Sequence, residues 1–126
     1  MSDDLKQRWE DAKNFLLQQH SKYRETGGND GVRLDFSDTD LRGALFNSSL
    51  LQGASFNRSV LRGATFDGAD LTEASVSHAK CHAVKFIDSD FVRSDFSGSD
   101  LRIASLRDAK LRATYRSKRQ KERSLG

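Results

Sequence analysis

At 126 residues, of which 31% are charged and 36% hydrophobic, the chain has room for one compact domain and no second large one. Its mean hydropathy is −0.69 and no apolar run exceeds three residues, as in Phe15-Leu16-Leu17. No membrane span or signal-peptide core is visible, and a cytoplasmic location is expected. The single cysteine, Cys81, excludes an internal disulfide, and a structural zinc site would need it together with all three histidines. The formal charge of +3 is unevenly spread. Residues 1–33 hold six Lys/Arg and six Asp/Glu, residues 34–113 hold ten and eleven, and residues 114–126 hold five and one. The body is therefore near neutral and the basic pI comes from the tail, which argues against a nucleic-acid binder inferred from pI alone.

In chain order, Ser2-Asp3-Asp4 has the form of a helix start, with a hydroxyl cap and acids at the positive end of the dipole. Leu5, Trp9, Ala12, Leu16 and Tyr23 fall on one helical face with Phe15 beside it, and Thr26-Gly27-Gly28 stops the helix. Trp9, Phe15 and Leu16 are expected to cap the open end of whatever follows; docking to a partner is the alternative. Gly27 to Gly31 is expected to form a hinge-like linker.

From Leu34 to Ala113 a five-residue period runs unbroken. Its centres are Phe36, Leu41, Phe46, Leu51, Phe56, Leu61, Phe66, Leu71, Val76, Cys81, Phe86, Phe91, Phe96, Leu101, Leu106 and Leu111, all apolar. Two residues earlier stands Ala, Ser or Thr, except at Leu34 and Val84. An α-helix would scatter centres five apart around its circumference, and a straight strand would send successive ones to opposite faces. Short extended sides separated by regular corners bring them all to one interior. Corners of about a right angle close a coil in 20 residues, so residue n lies under n+20 and sixteen pentads make about four coils stacked at about 4.8 Å. The third coil, with Val76, Cys81 and bulky Val84, is expected to bulge or loosen. Past Leu111 the period lapses, and Tyr115, Arg116, Lys118, Arg119, Lys121 and Arg123 belong to a short basic helix or frayed tail.

Ala69-Asp70-Leu71-Thr72-Glu73, Ser99-Asp100-Leu101-Arg102-Ile103 and Ala64-Thr65-Phe66-Asp67-Gly68 resemble the A(D/N)Lxx consensus of the pentapeptide-repeat family. The resemblance implies an all-β solenoid, a right-handed quadrilateral β-helix, over residues 34–113. Here it would be preceded by an α-helical cap in residues 1–33 and followed by a basic tail in 114–126.

Few residues suggest chemistry. His78, Cys81 and His82 are close in sequence, but the register turns Cys81 inward and His82 outward, so they do not converge on a metal. No activated nucleophile, phosphate loop or carboxylate pair in an apolar cleft is visible, and neither enzyme activity nor a cofactor or small-molecule substrate is expected. Arg42, Arg62, His82 and Arg102 form one outward column whose stacked charges need compensation. Asp40 and Asp100 offer part of it, whereas Arg62 has only Val60 two residues upstream. The column is thus either a solvated, partly paired ladder or a strip that binds acids. Leu45, Leu50, Ile87 and Val92 are apolar where outward polar residues are expected and suggest a patch for the N-terminal helix or a second subunit.

The resemblance implies a rigid interaction surface. The best-understood members present an acidic, DNA-like rod to DNA gyrase and protect it from quinolones or toxins. This body is near neutral, and Arg58, Lys80, Lys85, Arg93, Arg107 and Lys110 interrupt its acids. A non-enzymatic, bacterial scaffold that engages a protein partner through a flat face or a capped end, as an adaptor or immunity-type protein, is therefore the leading expectation. Topoisomerase protection is the alternative, and nucleic-acid contact by the basic tail a further one. End-to-end homodimerisation would cover an apolar C-terminal end.

Overall fold

The computed structural model describes residues 3–112 and 114. The chain divides into two compact units, Met1–Leu34 and Asp35–Gly126.

Helix α1 spans Asp3–Glu25, with Asp3 and Asp4 in its first turn and Lys22 and Arg24 in its last, each sign at the favoured end of the dipole. The inward stripe differs from the expected one. Lys13 and His20 are buried and Trp9, Leu16 and Tyr23 half-buried, whereas Ala12 is exposed and Leu5 and Phe15 are 46% and 58% exposed. The spacing 9-13-16-20-23 is a regular helical stripe, but two of its positions carry side chains that a hydrophobicity pattern scores as outward. Each is made tolerable by a bond. Lys13 Nζ meets Glu10 at 2.8 Å, and His20 Nδ1 accepts the Leu34 N–H at 2.9 Å.

The glycine segment folds back along α1 through bonds of its own. Gly27 and Gly28 have φ of +62° and +92°, and the Gly28 N–H caps the Tyr23 carbonyl at 2.8 Å. At Gly31 a Cβ would lie 2.2 Å from the Gln19 carbonyl oxygen, so only glycine lets the chain turn back along α1. Val32 then donates its N–H to that same carbonyl at 3.1 Å.

In the second unit, parallel bridges join residues 20 apart at every fifth position, from Asp35↔Ser55 and Asp40↔Val60 to Asp90↔Lys110. Asp35, Ser55, Ser75 and Asp95 thus form one column, as the period demands. Between bridges the chain turns through a β-turn whose third residue has positive φ, the hallmark of type II. Glycine takes this place at five corners of the repeat; ten non-glycine residues also adopt it, including β-branched Ile103 at φ 51°.

The interior is filled in ladders. Phe46, Phe66 and Phe86 stack with centroids 5.0 and 5.2 Å apart, and Phe56 meets Phe46 and Phe66 edge-on at 5.6 Å. The centres from Phe36 to Phe96 are buried. Leu101, Leu106 and Leu111, also assigned to the core, are only half-buried because no further described coil covers them. Inward serines pair with carbonyls: Ser59, Ser89 and Ser94 donate to Phe56, Phe86 and Phe91 at 2.6, 2.6 and 2.8 Å.

The expected bulge in the third coil does not form. Its bridges to the next coil keep the register of 20, and Val76, Cys81 and Val84 are at most 2% exposed. Volume is balanced within the layer: the small Val76 and Cys81 are offset by Val84 in an alanine position and by Phe91, whose ring lies 4.8 Å from Phe86 and 4.9 Å from Phe96. One corner does open. The Ser99 hydroxyl accepts the Ala79 N–H at 3.1 Å and donates to the Val76 carbonyl, in place of a direct turn bond.

Candidate functional site

The outward face over Leu41, Leu61, Cys81 and Leu101 carries the residues singled out by charge. Each of its rows offers one residue before the centre and one after. Where the first is aspartate, it has a structural task. Asp35, Asp40, Asp70, Asp90, Asp95 and Asp100 each accept the backbone N–H two residues on, at 2.9–3.2 Å. The aspartate of the consensus therefore pins the entrance to the corner as an Asx turn.

In the two outer rows the same carboxylate also takes an arginine. Arg42 grips Asp40 through Nε at 2.9 and 3.1 Å and Nη2 at 2.7 Å, and Arg102 grips Asp100 with the same distances. Both pairs are two-pronged. The Arg42 side chain holds the Asp40 carboxyl below its usual range, and Arg102 lowers Asp100 to about 2.

The two inner rows lack this arrangement. Val60 precedes Arg62 and Lys80 precedes His82, so neither row has a carboxylate. Arg62 and Lys80 are exposed, and neither side chain has a hydrogen bond or ion pair among the described residues. His82 is half-buried, and its Nδ1 is covered with no hydrogen-bond partner. The preceding corner column adds Arg58 and His78. Arg58 is held by Asp38 at 2.8 Å across one coil step, and the His78 ring lies so close to Gly98 that a Cβ there would meet it at 2.7 Å. The outward residues of the two inner rows are thus Arg58, Val60, Arg62, His78, Lys80 and His82, with no acid among them. Sequence reasoning found the Arg/His column but treated Arg58 and Lys80 only as interruptions of an acidic surface. The columns on either side, read at the same spacing of 20, carry the signal that was missed.

The other candidates come apart. Leu45 and Leu50 are 54% and 52% exposed, while Ile87 and Val92 are half-buried. The bridges Leu45↔Thr65↔Lys85 and Leu50↔Asp70↔Asp90 set two coil steps between the pairs, with polar residues between them, so they are not one patch. Cys81 is enclosed and burial pushes its thiol up to about 12, which leaves no nucleophile at neutral pH. Of the cap residues, Trp9 and Leu16 are half-buried and Phe15 lies outside the buried stripe. Tyr115, Arg116, Lys118, Arg119, Lys121 and Arg123 lie outside the described residues.

The repeat, its register and its corners define a class, and the comparisons agree. The family model for pentapeptide repeats matches in 8 copies over residues 35–77 and 79–114, and the chain belongs to that family. Its architecture is the right-handed β-helix solenoid of that family. Among solved structures, QnrB1, described as a plasmid-mediated fluoroquinolone resistance protein, aligns with a TM-score of 0.60 and 25% identity over 64% of this chain. A pentapeptide repeat protein of the Arabidopsis thaliana thylakoid lumen aligns at 0.42 and 28% over 60%. HetL of Nostoc, described as involved in regulation of heterocyst differentiation, aligns at 0.39 and 25% over 68%. The chain spans 42%, 57% and 41% of these three structures respectively. No curated protein matches by sequence. No helix among the described residues is long and apolar enough to cross a membrane.

Proposed function

We propose that this protein is a non-enzymatic scaffold that engages a protein partner through a flat face of its β-helix. The observation that carries the reading is the division between interior and surface. The interior is occupied by side chains as little as 0–1% exposed, such as Phe46, Phe56, Phe66 and Phe86, and many outward side chains are held by Asx turns and by bonds to the next coil. Asn57 Oδ1 alone receives the Ser77 N–H and the hydroxyls of Ser75 and Ser77 at 2.6–3.0 Å. Such a surface recognises a partner without ordering its own groups, which lowers the entropic cost of association. Capture with the whole chain from cytosol of its source, repeated with Arg62→Glu, tests this. One saturable protein partner is expected; a chain that retains no protein at micromolar concentration refutes the scaffold.

The likeness to QnrB1 favours protection of a topoisomerase as a second reading. The cation-rich inner rows oppose it, because a DNA-like surface needs a continuous negative field. Gyrase supercoiling in the presence of a quinolone decides, with rescue by micromolar protein as the supporting result. Half-burial of Leu101, Leu106 and Leu111, which line a shallow apolar recess with Phe91, Phe96 and Thr114, favours pairing of C-terminal ends in a homodimer. Sedimentation at two concentrations tests that pairing, and a strict monomer excludes it.

A further inference from the structure

We propose that the two inner rows of the face over Leu61 and Cys81 form a docking window for paired carboxylates on an acidic segment of a protein partner; this rests on the scaffold reading above. Lys80 stacks on Val60 in the next row, so Arg62 and Lys80 are diagonal neighbours about 7–8 Å apart. At that separation like charges repel by about 0.5 kcal/mol even in water. Every other arginine on this face has found an acid: Arg42 holds Asp40, Arg102 holds Asp100 and, at the corner, Arg58 holds Asp38. On this face only Arg62 and Lys80 hold no acid of their own among the described residues, and the carboxylate one coil step from Lys80, Asp100, is already held by Arg102. His82 stands beside them, and both oxygens of the nearby Asp100 carboxylate are engaged by Arg102. The segment after residue 112 cannot supply the missing anions by composition, since it holds five Lys/Arg and one Asp/Glu.

The same geometry selects the ligand. The window is two rows tall and is bounded at both ends by arginines already taken up by Asp40 and Asp100, so the free cations do not continue along the column. A nucleic acid needs a continuous cationic track. Two carboxylates on neighbouring outward residues of a partner match the two unpaired cations, and Val60 beside them presents a small apolar surface.

The test measures fluorescence anisotropy of a labelled oligoglutamate at low salt with the whole chain. Arg62→Ser/Lys80→Ser is expected to weaken binding about tenfold, as two lost charge contacts predict. Asp40→Asn/Asp100→Asn, which keeps an oxygen for each Asx turn but releases Arg42 and Arg102, is expected to tighten it. A gain of affinity cannot come from misfolding. Equal affinity in all three proteins overturns the window while leaving the scaffold reading to its own capture experiment. So does a single-stranded oligonucleotide that binds as tightly as oligoglutamate and loses affinity in the same Ser variant. Salt-sensitive self-association abolished by Arg62→Ser/Lys80→Ser would assign the face to a second copy of this chain and overturn the proposal as well.

Discussion

Ile103 offers a direct test of the corner geometry. It occupies the third position of a turn at φ 51° and is 76% exposed, so it adopts a conformation disfavoured for a β-branched residue and gains little packing in return. Left-handed backbone costs an L-residue about 1–2 kcal/mol. Ile103→Gly removes that strain but raises the entropy of the unfolded chain by about 0.4–1 kcal/mol, for a net gain of about 0.5–1 kcal/mol. Ile103→Asn tolerates the same φ without the glycine entropy and should gain about 1 kcal/mol. Urea unfolding provides the measurement: both variants should raise the midpoint at unchanged m-value. A lowered midpoint in both would mean that Ile103 packs usefully or that the corner is not left-handed, and the turn assignment would fail.

Three further outcomes follow from particular contacts. Phe66→Ala removes a ring 1% exposed and stacked on both sides, and should cost about 3–5 kcal/mol by chemical denaturation; a loss under about 1 kcal/mol would contradict the ladder. Asp100 has a folded pKa depressed to about 2, so its contribution is fully present above its ordinary value of 3.8 and disappears as pH falls through about 2. The stability difference between the parent and Asp100→Asn should therefore shrink on acidification through that window, and a difference constant from pH 5 to pH 2 would exclude the pair. Cys81, with its thiol raised to about 12, should resist alkylation at pH 8 in the native protein and react at the rate of global unfolding; rapid labelling would show it to be accessible.

The five-residue period made the inward set legible because apolar, small and polar residues each keep to their own place in it. Phe56 and Leu61 lie inside for that reason. The helix was harder to read. Lys13 and His20 occupy inward positions, and only the bonds they form in three dimensions make that affordable. Composition marks the glycine segment as a linker but does not show that the Gln19 carbonyl lies where a Cβ at Gly31 would be. In the third coil, Val76, Cys81 and Val84 each looked like a departure, yet their volumes cancel against Phe91, a balance visible only once the layer is known. The acidic residues before the centres were read as charge, when their first task is to receive a backbone N–H. On the candidate face, the compensation of Arg42 by Asp40 and of Arg102 by Asp100, and its absence at Arg62, follow from the register. Lys80 and Arg58 came into the picture only when neighbouring columns were laid side by side.

Because bridges always join positions 20 apart, evolution can edit this molecule in two separate ways. An extra pentad preserves the apolar interior but advances everything downstream by one side, so that Lys80 and His82 would no longer share a wall with Arg62. A whole additional turn leaves every wall in order and only lengthens it. Gain or loss of five residues would thus keep apolar side chains inward but rewrite what the surface displays and break the Phe46/Phe66/Phe86 stack, and the cationic rows would survive only changes made in multiples of a complete circuit.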